Sequence, residues 1–146
     1  MDNRPSETAF RAWLRFLKAH RATLDAVEAA LKRGGLPPLG WYEALAELEH
    51  AGDEGLRPVA LEKELGLPQY GLSRLLDRIE ASGCVARRAL ASDRRGQIVI
   101  ITDAGRDLRR RMWSVYADAI ATAFGKRLSD GEAETLAALL AKLIKD

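Results

Sequence analysis

A chain of 146 residues, 47% hydrophobic and 30% charged, can bury one compact core and has an ordinary globular composition. Arg4, Glu7, Arg11, Arg15 and Lys18 break up the first twenty residues, and no apolar run approaches the ~18 residues of a membrane span. Neither a signal peptide nor a membrane partner is therefore expected, and the chain reads as cytoplasmic. The net charge of +2 is unevenly spread: six arginines between Gln69 and Arg95 face only Asp77, Glu80 and Asp93, a local charge of +3 that suits phosphate recognition.

In chain order, Ser6 is placed to cap a long first helix. Its apolar residues Phe10, Trp13, Leu14, Leu17, Leu24, Val27 and Leu31 recur at three- and four-residue steps until Gly34-Gly35 ends it. After Pro37-Pro38 a second helix is expected over Trp41 to Ala51, with Trp41, Leu45 and Leu48 on one side. Pro58 suits the first turn of a short third helix that carries Val59, Leu61 and Leu65 and stops at Gly66. Pro68 opens a fourth, in which Leu72, Leu75, Leu76 and Ile79 form a single stripe that closes at Ser82-Gly83.

Two short strands follow, Val85 to Ala89 and Gln97 to Ile101, separated by the arginine-rich Leu90 to Gly96 as the tip of a hairpin. Thr102 can cap a long helix bearing Leu108, Met112, Tyr116, Ile120 and Phe124, which Gly125 stops. Ser129 and Glu132 form a capping box before Leu136, Leu139, Leu140 and Leu143, the start of a last amphipathic helix.

The fold class is thus mainly α with a small β hairpin, and helix, tight turn, helix, basic hairpin is the layout of a winged helix-turn-helix lobe. With the leucine stripe of the fourth helix turned inward, its other face presents Tyr70, Arg74 and Asp77, flanked by Gly71, Ser73 and Arg78. Arginine pairs with guanine edges, serine and tyrosine reach bases or phosphates, and Gly71 permits close backbone approach at a helix-propensity cost of ~1 kcal/mol. Gln69, at the start of that helix, belongs with these candidate DNA contacts. Arg87 and Arg88 alternate faces on the first strand, so one of the two is expected to meet a backbone phosphate.

The run from Gly71 to Glu80, then Gly83, Val85 and Arg87, resembles the recognition helix and first wing strand of the MarR family of transcriptional regulators. Ser92-Asp93-Arg94-Arg95-Gly96 and Thr102-Asp103-Ala104-Gly105 are similar to that family's wing and to its start of the following helix. The similarity runs from about Trp41 to Leu108. Pro58 and Pro68 stand where small hydroxyl residues are common, and Cys84 where leucine is.

The resemblance implies one MarR-type domain over 1–146. Its DNA-binding lobe is expected at 41–101 and its dimerisation helices at 6–34 and 102–146. It also implies a homodimer that binds a palindromic operator on double-stranded DNA, as a repressor released by a small aromatic ligand. In the wing, Asp93 is expected to hold Arg95 while Arg94 or Arg95 enters the minor groove. Phe10, Trp13, Tyr116, Phe124 and Leu140 are candidate interface anchors or core, and Trp13, His20, Trp41 and Tyr42 candidate linings of a ligand crevice.

The rival readings have less in the sequence. His20, His50 and Cys84 are widely spaced with no motif around any of them, so no enzyme, metal site or cofactor is expected. Cys84, between a helix-ending glycine and an apolar strand, reads as an inert buried thiol. A regulator that pairs helices with another protein and binds no DNA is the alternative, but such a module would not need the wing arginines.

Overall fold

The structure, a computed structural model, describes residues 2–67, 69–90 and 93–144, with the side chains of 69–70 and 93–95 outside that description. Among the described residues there are six α-helices and one antiparallel hairpin: α1 (Glu7–Arg33), α2 (Leu39–Ala51), α3 (Pro58–Leu65), α4 (Gln69–Ala81), β1 (Val85–Leu90), β2 (Asp93–Ile101), α5 (Asp103–Ala123) and α6 (Asp130–Ala141). The chain divides into two compact units, residues 31–115 and residues 1–30 with 116–146.

The unit of residues 31–115 holds the fully buried core. Leu31, Leu45, Leu48, Leu61, Leu72, Leu76, Ile79, Val99 and Met112 are almost entirely shielded from solvent. Burying leucine-sized side chains stabilises by about 1.5–3 kcal/mol each, which is why the three- and four-residue stripes decide where these helices form. Gly66 ends α3 in the left-handed region at φ +67°, a conformation that costs glycine nothing. α2 begins at Leu39, two residues before the expected Trp41, because Pro38 is extended at φ −59°, ψ 157° and takes the N-cap position. Leu39 is buried in that first turn.

The hairpin differs more from expectation. β1 runs to Leu90 and β2 starts at Asp93, so most of the expected Leu90 to Gly96 loop belongs to strands. The ladder is regular from Val85 opposite Ile101 to Ala89 opposite Gln97, then jumps to Leu90 opposite Asp93. A bulge on the β2 side absorbs the surplus residues. The arginines and glycine signalled loop by composition, but backbone pairing carries on past them. Leu56 adds a short bridge to the other edge of β2, exchanging hydrogen bonds of 3.0 and 2.8 Å with Val99.

The other unit is built from the first part of α1, the end of α5 and α6. Ser6 Oγ accepts from the Ala9 N–H at 3.1 Å, the expected cap of α1. The capping box of α6 is also present: the Glu132 N–H donates to Ser129 Oγ at 3.1 Å and the Ser129 N–H donates to Glu132 Oε1 at 3.0 Å. This unit leaves much apolar surface in solvent, with Phe10, Trp13, Leu14, Phe16, Phe124, Leu139 and Leu143 all exposed. No described helix is long and apolar enough to cross a membrane.

Candidate nucleic-acid interface and apolar cavity

α4 is fixed from within by Leu72, Leu76 and Ile79, which are buried against the core, and this forces Ser73, Arg74, Asp77 and Arg78 outward, where all four are exposed. Gly71 is half-buried, and a Cβ built on it meets nothing within 4 Å. Packing among the described residues therefore gives no reason for a glycine there. Gln69 and Tyr70 lie in the first turn of α4, with side chains outside the described ones.

The α4 to β1 turn is held at several points. Gly83 takes φ +82°. The Cys84 N–H donates to the Ile79 carbonyl at 3.1 Å and the Thr102 N–H to the Cys84 carbonyl at 3.1 Å. Thr102 closes the arrangement: its hydroxyl donates to the Gly83 carbonyl at 2.6 Å and accepts from the Gly105 N–H at 3.1 Å. It thereby caps α5 and ties that helix to the end of α4. Gly105 is needed because a Cβ there would run into the Cys84 carbonyl oxygen. The Thr102 to Gly105 motif thus has a mechanical role, and Cys84 is buried at its centre, as expected of an inert thiol.

On β1 the alternation of faces separates the two arginines. Arg88 is exposed. Arg87 lies opposite the fully buried Val99 and pairs with α4, its Nη2 2.8 Å from Asp77 Oδ1 and its Nε 3.8 Å from Glu80 Oε1. Asp93, Arg94 and Arg95 are placed in β2, but their side chains, and so the expected Asp93 to Arg95 pair and the choice of minor-groove arginine, lie outside the described residues.

Two further ties were not foreseen, because they join charges distant in sequence. Arg109 of α5 pairs with Glu49 of α2, and Arg106 reaches Asp53 at 3.8 Å.

The candidate ligand residues are divided between the units. In the unit of residues 31–115, Trp41 and Tyr42 are half-buried on α2, and Tyr42 stacks on Trp113 of α5 with centroids 6.0 Å apart and planes at 20°. Trp113 escaped the sequence reading because it falls off the apolar stripe of α5. In the other unit, α1, the Phe124 to Leu128 turn and α6 enclose an open apolar cavity of about 1190 Å³. Trp13 and His20 line it with Phe16, whose ring stacks near His20 at 6.4 Å. Among the interface candidates, Trp13, Phe124 and Leu140 line the same cavity. Phe10 is exposed and Tyr116 half-buried. His50 is exposed on α2, and among the described residues no cluster of three or more His, Cys, Asp or Glu is arranged to hold a metal ion.

Comparison with known proteins bears on the whole arrangement. Residues 34–96 match the sequence model of the MarR family. The chain is similar to Sco3205, a MarR family transcriptional regulator of Streptomyces coelicolor solved in complex with DNA. The TM-score is 0.90 at 26% identity, over 98% of this chain and 89% of that one. It has the fold of AbsC, a MarR family regulator of the same organism, with TM-score 0.84, 24% identity and 97% and 95% of the two chains covered. A mutant MarR of E. coli, solved with operator DNA, shares that fold too, with TM-score 0.83, 22% identity and 94% and 96% covered. Residues 34–96 thus match the MarR family of transcriptional regulators, and the chain has the fold of that family's solved members.

Proposed function

We propose that the chain is a sequence-specific DNA-binding transcriptional regulator that acts as a homodimer on a palindromic operator. The observation that carries this reading is the polarity of α4: Leu72, Leu76 and Ile79 are buried while Ser73, Arg74 and Arg78 are exposed on the outer face. Such a helix presents hydrogen-bond donors that can pair with base edges in a major groove, and Gly71 leaves room for a phosphate or base edge next to the backbone. Arg88, exposed on β1, adds a further cation, and Gln69, Tyr70, Asp93, Arg94 and Arg95 remain proposed contacts from the sequence. The DNA complexes of Sco3205 and of the E. coli protein support the same reading.

The dimer is favoured by the exposed apolar residues of α1 and α6. An apolar surface of this extent marks an association site, and a twofold pair sets two recognition helices about 34 Å apart, one turn of DNA. We assign repression relieved by a small aromatic ligand as the mode of control, with Trp13, His20, Trp41 and Tyr42 as the residues to probe.

Selection of bound duplexes from a random pool is the direct test, and an inverted repeat is the expected product. In the same assay the Arg94→Ala, Arg95→Ala double variant should lose affinity while remaining folded. A pool that shows no enrichment, together with an unchanged double variant, would sink the DNA reading in favour of a protein-pairing one.

A further inference from the structure

Arg87 combines two features that conflict in a DNA contact. It sits on a basic strand beside α4, yet its guanidinium is already engaged: Nη2 is 2.8 Å from Asp77 Oδ1, Nε is 3.8 Å from Glu80 Oε1, and the side chain is only 24% exposed. Asp77 and Glu80 are three residues apart on α4, so both carboxylates stand on one side of that helix. Arg87 faces the same way as Val99 across the ladder, toward the core, whereas Arg88 points to the exposed face. Among the described residues no ion pair involves Arg74, Arg78 or Arg88.

Building on the DNA-binding reading, we propose that Arg87 is a positioning residue, not a DNA contact. It clasps α4 to β1 through Asp77 and Glu80 and so sets the register of the recognition helix against the wing, while Arg88 takes the phosphate. Hydrogen bonds of Gly83, Cys84 and Thr102 hold the turn between the two elements, and beyond that turn the Arg87 clasp ties the strand to the helix by side chains. The Arg87 Nη2 hydrogen bond to Asp77 is suited to that, because a planar guanidinium constrains direction as well as distance, while Glu80 adds only a charge at 3.8 Å. The clasp also offsets the charge of Asp77, which would otherwise repel phosphates from the outer face of α4.

The test uses the full chain and a duplex recovered by selection, with affinity followed over a range of salt concentration. Each phosphate contact contributes about 0.9 to the slope of log affinity against log salt. Arg88→Ala should lower the slope by about that amount. Arg87→Ala should weaken binding by about two- to five-fold, the scale of a partly exposed ion pair, with the slope unchanged. In an Asp77→Ala, Glu80→Ala background, Arg87→Ala should cost nothing further. A slope lowered by about 0.9 in Arg87→Ala, or an equal loss in both backgrounds, would overturn the proposal. If the wild-type chain selects no duplex, the DNA reading fails instead, and the clasp is decided without DNA. Non-additive shifts of melting temperature for Asp77→Ala and Arg87→Ala would support it, and strictly additive shifts would overturn it.

Discussion

Gly105 and Gly71 are both helical glycines, but they exist for different reasons. A side chain at Gly105 would collide with the Cys84 carbonyl oxygen and stand 2.8 Å from Ile101 Cγ1. Gly105→Ala should therefore cost about 1–3 kcal/mol of stability in denaturant unfolding, the scale of overpacking a closed site. Gly71 has open space around it, so Gly71→Ala should stabilise α4 by up to about 1 kcal/mol and yet weaken operator binding. An unchanged affinity would mean that DNA does not approach this turn. Arg74, exposed on the same helix, tests base reading: Arg74→Ala should lose about 1–3 kcal/mol of discrimination at one operator position, seen by repeating the selection. Uniform weakening over all sequences would make it a phosphate contact. Arg74 was legible in the sequence because helical periodicity alone puts it opposite the leucine stripe. The partners of Arg87 were not, since Asp77 is ten positions away and only the α4 to β1 packing brings them together.

Among the elements, α6 shows local chemistry at its clearest. Residues 129–132 carry the whole cap signal, and both reciprocal hydrogen bonds form as the spacing implies. The Ser129 N–H, and after it the Ser129 hydroxyl, hold the Glu132 carboxyl below its ordinary value of 4.5. A carboxylate whose folded value is depressed stabilises above its unfolded value, and that contribution is lost as pH falls through the lowered one. The first turn of α6 should then fray as pH drops below about 4.5 in amide hydrogen exchange, and Glu132→Gln should remove that pH dependence. An identical profile in the variant would show that another group governs the turn. The hairpin is the opposite case. Its composition suggested a seven-residue tip, but pairing to Leu90 and Asp93 is decided by what the strands meet across the ladder.

For the whole molecule, the contrast between a closed core in residues 31–115 and exposed apolar helices in the other unit bears on assembly. Leu139 is 53% exposed and lines the apolar cavity, so Leu139→Glu should leave the monomer fold intact while shifting sedimentation from dimer to monomer. A variant that stays dimeric would place the interface elsewhere. Under the ligand control proposed above, linkage sets the size of the effect: a ligand that favours a dimer unable to span one DNA turn should lower operator affinity by about 5–150-fold for a coupling of 1–3 kcal/mol. The operator must lower ligand affinity by the same factor. Small aromatic acids that quench the tryptophans without changing operator affinity would exclude this control.

The sequence by itself determined the number and order of the helices, the caps of α1, α5 and α6, the buried stripe of α4 and the identity of its outward residues. Those depend on local periodicity and on hydrogen bonds only a few residues long. Tertiary structure alone decided that Arg87 is held by Asp77 and Glu80, that Gly105 must lack a side chain, that Tyr42 stacks on Trp113 and that β2 reaches back to Asp93. The first three are contacts between residues well separated in the chain, and no local pattern specifies which distant atoms the packed core will bring within reach.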